Sequence, residues 1–155
     1  MTLRRASAAD LDDLMSLLAD DPISASRGDV AADADRPRYL SALQAIIDDP
    51  GNDLLIAEDA QARAVATFQL TRIPGMARLG ATRITVEAVR VRHDARSEGI
   101  GGVLMRWVTE VAAPALGAGL VQLTSDAARV DAHRFYEHLG FVASHLGFKY
   151  QVADR

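Results

Sequence analysis

The chain of 155 residues contains no cysteine. That excludes a disulfide framework, a thiolate nucleophile and a zinc–thiolate site. It also lacks an excess of positive charge: 17 Lys and Arg stand against 21 Asp and Glu, for a net charge of −4 and a pI of about 5.5. A nucleic-acid binder would carry a basic patch, and Arg4-Arg5 is too short for a basic arm, so no nucleic-acid partner is expected. No apolar run approaches membrane-spanning length, and none follows the first residues as in a secretory signal. No membrane partner is expected, and the cytoplasm is the default. Repeats and low-complexity tracts are missing. The histidines, His93, His133, His138 and His145, show no ligand spacing, so no metal site is expected. What is present is globular composition, 49% apolar and 25% charged. The length suits a single domain, residues 1–155, with a proper core.

In chain order, residues 2–5 read as an edge strand. Ser7 or Asp10 can cap a helix with Leu11, Leu14, Met15, Leu17 and Leu18 on its apolar side, ended by Asp20-Asp21-Pro22. Residues 23–35 read as a loop or short irregular helix. Pro37 suits the first turn of a second helix that buries Tyr39, Leu40, Leu43, Ile46 and Ile47. After a turn at 48–52, strands at 53–58, 63–73 and 82–92 have short links and imply an antiparallel meander. In the last of them Thr85, Glu87, Val89 and Val91 alternate onto one face. A helix runs from Ile100 toward Pro114, where proline should end it. A buried strand at 120–124 then pairs in parallel through the helical crossover. A last helix presents Ala132, Phe135, Tyr136 and Leu139 and stops at Gly140. Closing strands at 141–143 and 148–152 follow. The expected class is α/β (α+β): a mixed, mostly antiparallel sheet of roughly six to seven strands with helices on both faces.

The centre of this layout is the stretch from Val89 to Leu104, a strand, a glycine turn and a helix. Gly99, Gly101 and Gly102 let the backbone turn sharply and come close to a ligand. Free N–H groups at the helix start, with the positive end of the dipole behind them, make a phosphate site. A P-loop would need Gly-Lys-Ser/Thr, but Gly101-Gly102-Val103 has no lysine. A dinucleotide fingerprint would need a third glycine where Leu104 stands.

Arg96-x-x-Gly99-x-Gly101, with Val89 and Val91 upstream, resembles the pyrophosphate motif of the GNAT superfamily of acetyl-CoA-dependent N-acetyltransferases. Asp131-Ala132-x-x-Phe135-Tyr136-x-x-x-Gly140-Phe141 resembles that family's carboxyl-terminal signature. The close resemblance covers roughly residues 80–152. It implies acetyl-CoA as cofactor. Val89 and Val91 would offer backbone groups to the pantetheine arm, in a gap between splayed strands. Arg96, Ser97, Glu98, Gly99, Ile100, Gly101 and Gly102 would hold the pyrophosphate through main-chain N–H groups. Asp131 departs from the usual asparagine; a carboxylate cannot donate as an amide can, so no cofactor contact is carried over to it.

Acyl transfer from a thioester to an amine needs no covalent enzyme intermediate, which agrees with a chain lacking cysteine. Tyr136 occupies the family's general-acid position, and a phenol with a reference pKa near 10 can protonate a departing thiolate. The same tyrosine could be a core aromatic. Glu87 can accept the amine's proton, directly or through a water; the alternative is a structural glutamate paired with Arg83 or Arg90, or one exposed at a sheet edge. The leading expectation is an enzyme acetylating a small-molecule primary amine. Acetylation of a protein N-terminus or lysine, and a non-catalytic acyl-CoA sensor, remain as alternatives. The acidic stretch 20–35 would suit a cationic amine. The closing strands often meet a second subunit in the family, so the resemblance implies a homodimer.

Overall fold

Alternating apolar and polar residues set most of one five-stranded sheet. The computed structural model describes residues 1–152. Its strands are β1 (Thr2–Arg5), β2 (Asn52–Glu58), β3 (Ala64–Ile73), β4 (Thr82–Val91) and β5 (Ala118–Leu123). They lie in chain order across the sheet. The pairs from β1 to β4 are antiparallel, and β5 joins β4 in parallel. The chain divides into two units, residues 1–123 with the whole sheet and a second from Thr124 onward.

In the first unit, α1 (Leu11–Ala19) begins after a short 3-10 turn closed by a capping box. The Ser7 backbone N–H donates to Asp10 Oδ2 at 2.7 Å, satisfying a donor that the helix start leaves without a partner. Leu11, Leu14 and Met15 then cluster with Leu43 of α3 (Arg36–Asp48) over Ile56 of β2. On the opposite sheet face Phe68, 1% exposed, meets Trp107 of α4 (Ile100–Trp107) edge-on at 6.2 Å between ring centres. Between α1 and α3, Pro22–Ala25 forms the short α2, which Asp21 caps by accepting from the Ser24 N–H at 2.8 Å. In the second unit, α5 (Val130–His138) ends at Gly140 in the left-handed region, φ 87°.

Several expectations need correction. On α3 only Leu43 is fully buried, and Leu40 and Ile47 face outward. These two are seven residues apart and share an outer stripe. The helix does not stop before Pro114. A π segment, Val108–Ala112, precedes it and the helix runs on through Ala115. The wider turn accommodates the proline ring against the preceding carbonyls. β5 is half-buried, not buried. The closing strands at 141–143 and 148–152 do not form, so the described residues give five strands, not six or seven. Short apolar stretches become strands only when a neighbour takes their backbone groups and covers a face. Here Val142, Phe148 and Tyr150 stand exposed.

Candidate active site

β4 changes character halfway along. From Arg83 to Val86 it pairs with β3 on one side and with β5 on the other. The last β5 partner is Leu123, opposite Val86, so Glu87–Val91 continues with that edge open. A bulge falls in the open half. Gln69 faces Glu87 and Thr67 faces Arg90, leaving Phe68 alone against both Ala88 and Val89. Ala88 takes a left-handed φ of 50° to make room. The extra residue inverts the alternation. Glu87 therefore shares its face with Arg90, while Val89 and Val91 join Val86 on the other. The expected common face for Glu87, Val89 and Val91 is thus wrong, because period-two reasoning cannot see an inserted residue.

Beyond β4 the chain makes a 3-10 turn, His93–Ala95, and then a tight turn into α4. Ser97 and Gly99 both adopt left-handed backbone, φ 69° and 79°. A Cβ placed on Gly99 would meet nothing within 4 Å, so the space above the turn is open. The first-turn N–H groups of α4 have no partner within the helix, and a helix start of this kind favours an anion. A diphosphate therefore fits the turn. The Arg106 guanidinium, which sequence reasoning missed, lies 3.4 Å from where a Cβ on Gly102 would stand. It adds a cation beside that helix start; its position one turn after Gly102 was the available signal.

Arg96 does not reach out of the turn. Its Nε donates to the Val91 carbonyl at 2.9 Å, and its Nη2 to the Asp20 carbonyl and carboxylate at 3.1 and 3.3 Å. Asp20, at the end of α1, also accepts from the His93 backbone N–H at 2.6 Å and lies 3.0 Å from His93 Nδ1. One carboxylate thus ties the end of α1 to both ends of the 3-10 turn that precedes the glycine turn. The Val89 carbonyl accepts from Arg90 Nη1 at 2.8 Å. Each of the Val89 and Val91 carbonyls keeps a second lone pair for another donor.

Glu87 is exposed. Arg90 turns away toward α2, where its Nη2 donates to Ser24 Oγ at 2.5 Å and its Nε lies 3.9 Å from Asp21. Four of the five carboxylates of the acidic stretch are engaged within the chain. Asp20 and Asp21 are held as described, Asp29 accepts from the Tyr39 hydroxyl at 2.5 Å, and Asp35 lies 3.7 Å from Arg38. The hydrogen bond to Asp29 pushes the Tyr39 phenol up to about 12. These contacts commit most of the stretch's negative charge within the chain.

In the second unit, Ala132, Phe135, Tyr136 and Leu139 form the expected half-buried stripe of α5. The Tyr136 ring stands edge-on to Phe135 and Phe141, with centres at 5.1 and 5.8 Å. The Phe141 N–H returns to the Tyr136 carbonyl at 3.1 Å, closing the helix around Gly140.

An open strand edge on a mixed, mostly antiparallel sheet, followed by a left-handed glycine turn at the start of a helix, defines a mixed α/β protein. A model of the acetyltransferase (GNAT) family matches residues 11–141, and the chain belongs to that family. Enzymes of this family take acetyl-CoA as co-substrate. A transcriptional regulator from Bacillus halodurans C-125 is 38% identical, with 97% of this chain and 99% of that one covered and a TM-score of 0.88. Glucosamine-6-phosphate N-acetyltransferase from Arabidopsis thaliana is 15% identical over 98% of each chain, TM-score 0.77. Ribosomal-protein-alanine N-acetyltransferase from Brucella melitensis biovar Abortus 2308 is 18% identical over 98% of this chain and 100% of that one, TM-score 0.74. The last two likenesses concern the fold alone. No curated protein sequence matches the chain. No helix among the described residues is long and apolar enough to cross a membrane.

Proposed function

We propose that the chain is an N-acetyltransferase moving the acetyl group from acetyl-CoA directly to a small-molecule primary amine. One observation carries the reading: the open edge of β4 leads straight into a left-handed glycine turn, with an exposed carboxylate at its start. Bound acetyl-CoA supplies the thioester. The backbone of Val89 and Val91 pairs with the pantetheine amides along the open edge. Main-chain N–H groups from Ser97, Glu98, Gly99, Ile100, Gly101 and Gly102 hold the diphosphate, and Arg96 braces the turn from behind. Glu87 takes the proton of the incoming amine. The new C–N bond forms as the C–S bond breaks, and Tyr136 gives its phenolic proton to the departing sulfur. Holding both reactants in place supplies much of the acceleration.

On this reading residues 1–155 work as one acetyltransferase domain in the cytoplasm. The exposed apolar tail, with Val142, Leu146, Phe148 and Tyr150, supports a homodimer in which a second copy covers it. Sedimentation velocity checks this, and a monomer at micromolar concentration rejects it.

A second reading has its own support, because the 38% identical relative is described as a transcriptional regulator. It makes the chain an acyl-CoA sensor. Thiol release from acetyl-CoA, measured across polyamines, amino acids, aminoglycosides and amino-terminal peptides, separates the readings. The enzyme turns over one class of small amines and leaves the peptides alone. Tight cofactor binding with hydrolysis only, and no acceptor, identifies the sensor.

A further inference from the structure

We infer that the acceptor amine carries an oxyanion, a carboxylate or a phosphate, and that Arg83 is the residue that binds it. This deepens the proposed function and rests on Glu87 receiving the amine. Register places Arg83, Thr85 and Glu87 on one face of β4, opposite Ile73, Thr71 and Gln69 of β3. Beyond Ile73 that face is a fixed polar floor, with Thr85 itself buried. Asn52 Oδ1 accepts from Thr71 Oγ1 at 2.7 Å and from Gln69 Nε2 at 2.8 Å, while Gln122 Nε2 donates to Thr85 Oγ1 at 3.0 Å. An apolar acceptor laid over hydroxyls and amides would strip their water and return no partner. A polar acceptor loses nothing there.

The two ends of this floor carry opposite charges that the chain does not neutralise between themselves. Glu87 is exposed at one end. Arg83 stands at the other, about 13 Å away from Cα to Cα along an extended strand. Among the described residues Arg83 Nε is buried without a hydrogen-bond partner, and Nη1 lies 3.9 Å from where a Cβ on Gly75 would stand, so the guanidinium sits beneath the β3–β4 turn. A charged donor left unsatisfied is costly. An oxyanion that draws the guanidinium out over Thr85 relieves it by taking two parallel bonds from the Nε–Nη edge. The other arginines near this stretch are engaged: Arg90 with Ser24, Arg92 with Asp94 and the Ala64 carbonyl, Arg96 with Asp20. A ligand with an ammonium at Glu87 and an oxyanion at Arg83 complements both ends.

Thiol release with matched acceptors tests this: an amino acid against its amide, and an amino-sugar phosphate against the free amino sugar. The wild type prefers the anionic member of one pair by about tenfold or more in kcat/KM, the size expected for a charge-assisted pair. The pair that shows the preference separates carboxylate from phosphate. Arg83→Met collapses the ratio toward unity, and Arg83→Lys retains part of it. A merely structural arginine would lower both members alike and leave the ratio in place. Calorimetric binding of the same acceptors in the presence of coenzyme A gives a readout independent of turnover. If nothing is acetylated, yet the anionic members bind and Arg83→Met abolishes that preference, the acetyltransferase reading fails and the oxyanion site stands. Equal treatment of both members by the wild type in both readouts, or a ratio untouched by Arg83→Met, overturns the proposal.

Discussion

The two halves of β4 follow different rules. Arg83–Val86 is paired on both edges, and its Ile84 and Val86 are 0% and 2% exposed. Glu87–Val91 is paired on one edge, carries the bulge at Ala88, and contains no fully buried residue. The first half holds the sheet together. The second half has left the regular ladder, and that departure leaves backbone and a carboxylate free for a ligand. On the proposed function, ligand chemistry on this sheet begins where pairing with β5 ends.

The sharpest way to test that contrast is Glu87→Gln, which keeps shape and removes the base. We expect kcat to fall by about 10²- to 10⁴-fold and the acidic limb of the pH profile to change. Tyr136→Phe should do the same at the basic limb. Steady-state kinetics across pH decides; wild-type rates at every pH for both variants would make Glu87 a structural glutamate. Next in size are Gly99→Val and Gly101→Val. Gly99 sits at φ 79°, which a β-branched residue adopts at a cost of about 1–2 kcal/mol. Because the space around it is open, the fold should survive while the turn distorts. Acetyl-CoA affinity by calorimetry should drop by about ten- to a hundredfold. An unchanged Kd in both variants would remove the diphosphate from this turn.

The same contrast explains what could be read in advance. The paired elements were legible because alternation in Ala66, Phe68 and Leu70, and the 3.6 period of Leu11, Leu14 and Met15, report burial directly. The glycine turn was legible because few residues tolerate positive φ, and Gly99 marks the place. The bulge was not, since Ala88 carries no signal for a left-handed conformation. The inward turn of Arg96 was not, because its partner Asp20 lies far back in the chain. The closing strands were over-read: apolar residues at 148–152 alternate, but alternation says nothing about whether a neighbour exists to pair with. The acidic stretch was over-read for a related reason, as composition counts carboxylates but not their partners.

A third prediction probes the paired side of the sheet alone. The Arg4 guanidinium, hydrogen-bonded to Asp10 at 2.7 and 2.8 Å, holds that carboxyl down at about 2 from an ordinary 3.8. A depressed carboxylate stabilises the fold above its unfolded pKa and loses that contribution as pH falls through its folded value. About 2 kcal/mol should therefore disappear between roughly pH 4 and pH 2. Urea unfolding across that range should show it, and Asp10→Asn should flatten the slope. Acetyl-CoA affinity at neutral pH should not move in that variant. A parallel loss of affinity would mean that the two sides of the sheet are less independent than the register suggests.

The smallest expected effect lies at the join, in Asp20→Asn. The carboxylate accepts from the His93 N–H and from Arg96, so it orders the stretch that leads into the glycine turn without belonging to that turn. Its amide keeps the volume but places donors against donors on one side. We expect acetyl-CoA binding to weaken by about three- to tenfold, near 1 kcal/mol, with little change in Tm because His93 and Arg96 are solvent-accessible. A double-mutant cycle with Arg96→Ala gives the decisive reading. If Asp20 acts through Arg96, the two losses in acetyl-CoA binding should fail to add, with a coupling of about 0.5 kcal/mol or more. Simple additivity would place the influence of Asp20 elsewhere. It would also leave the open half of β4 braced by its own backbone alone.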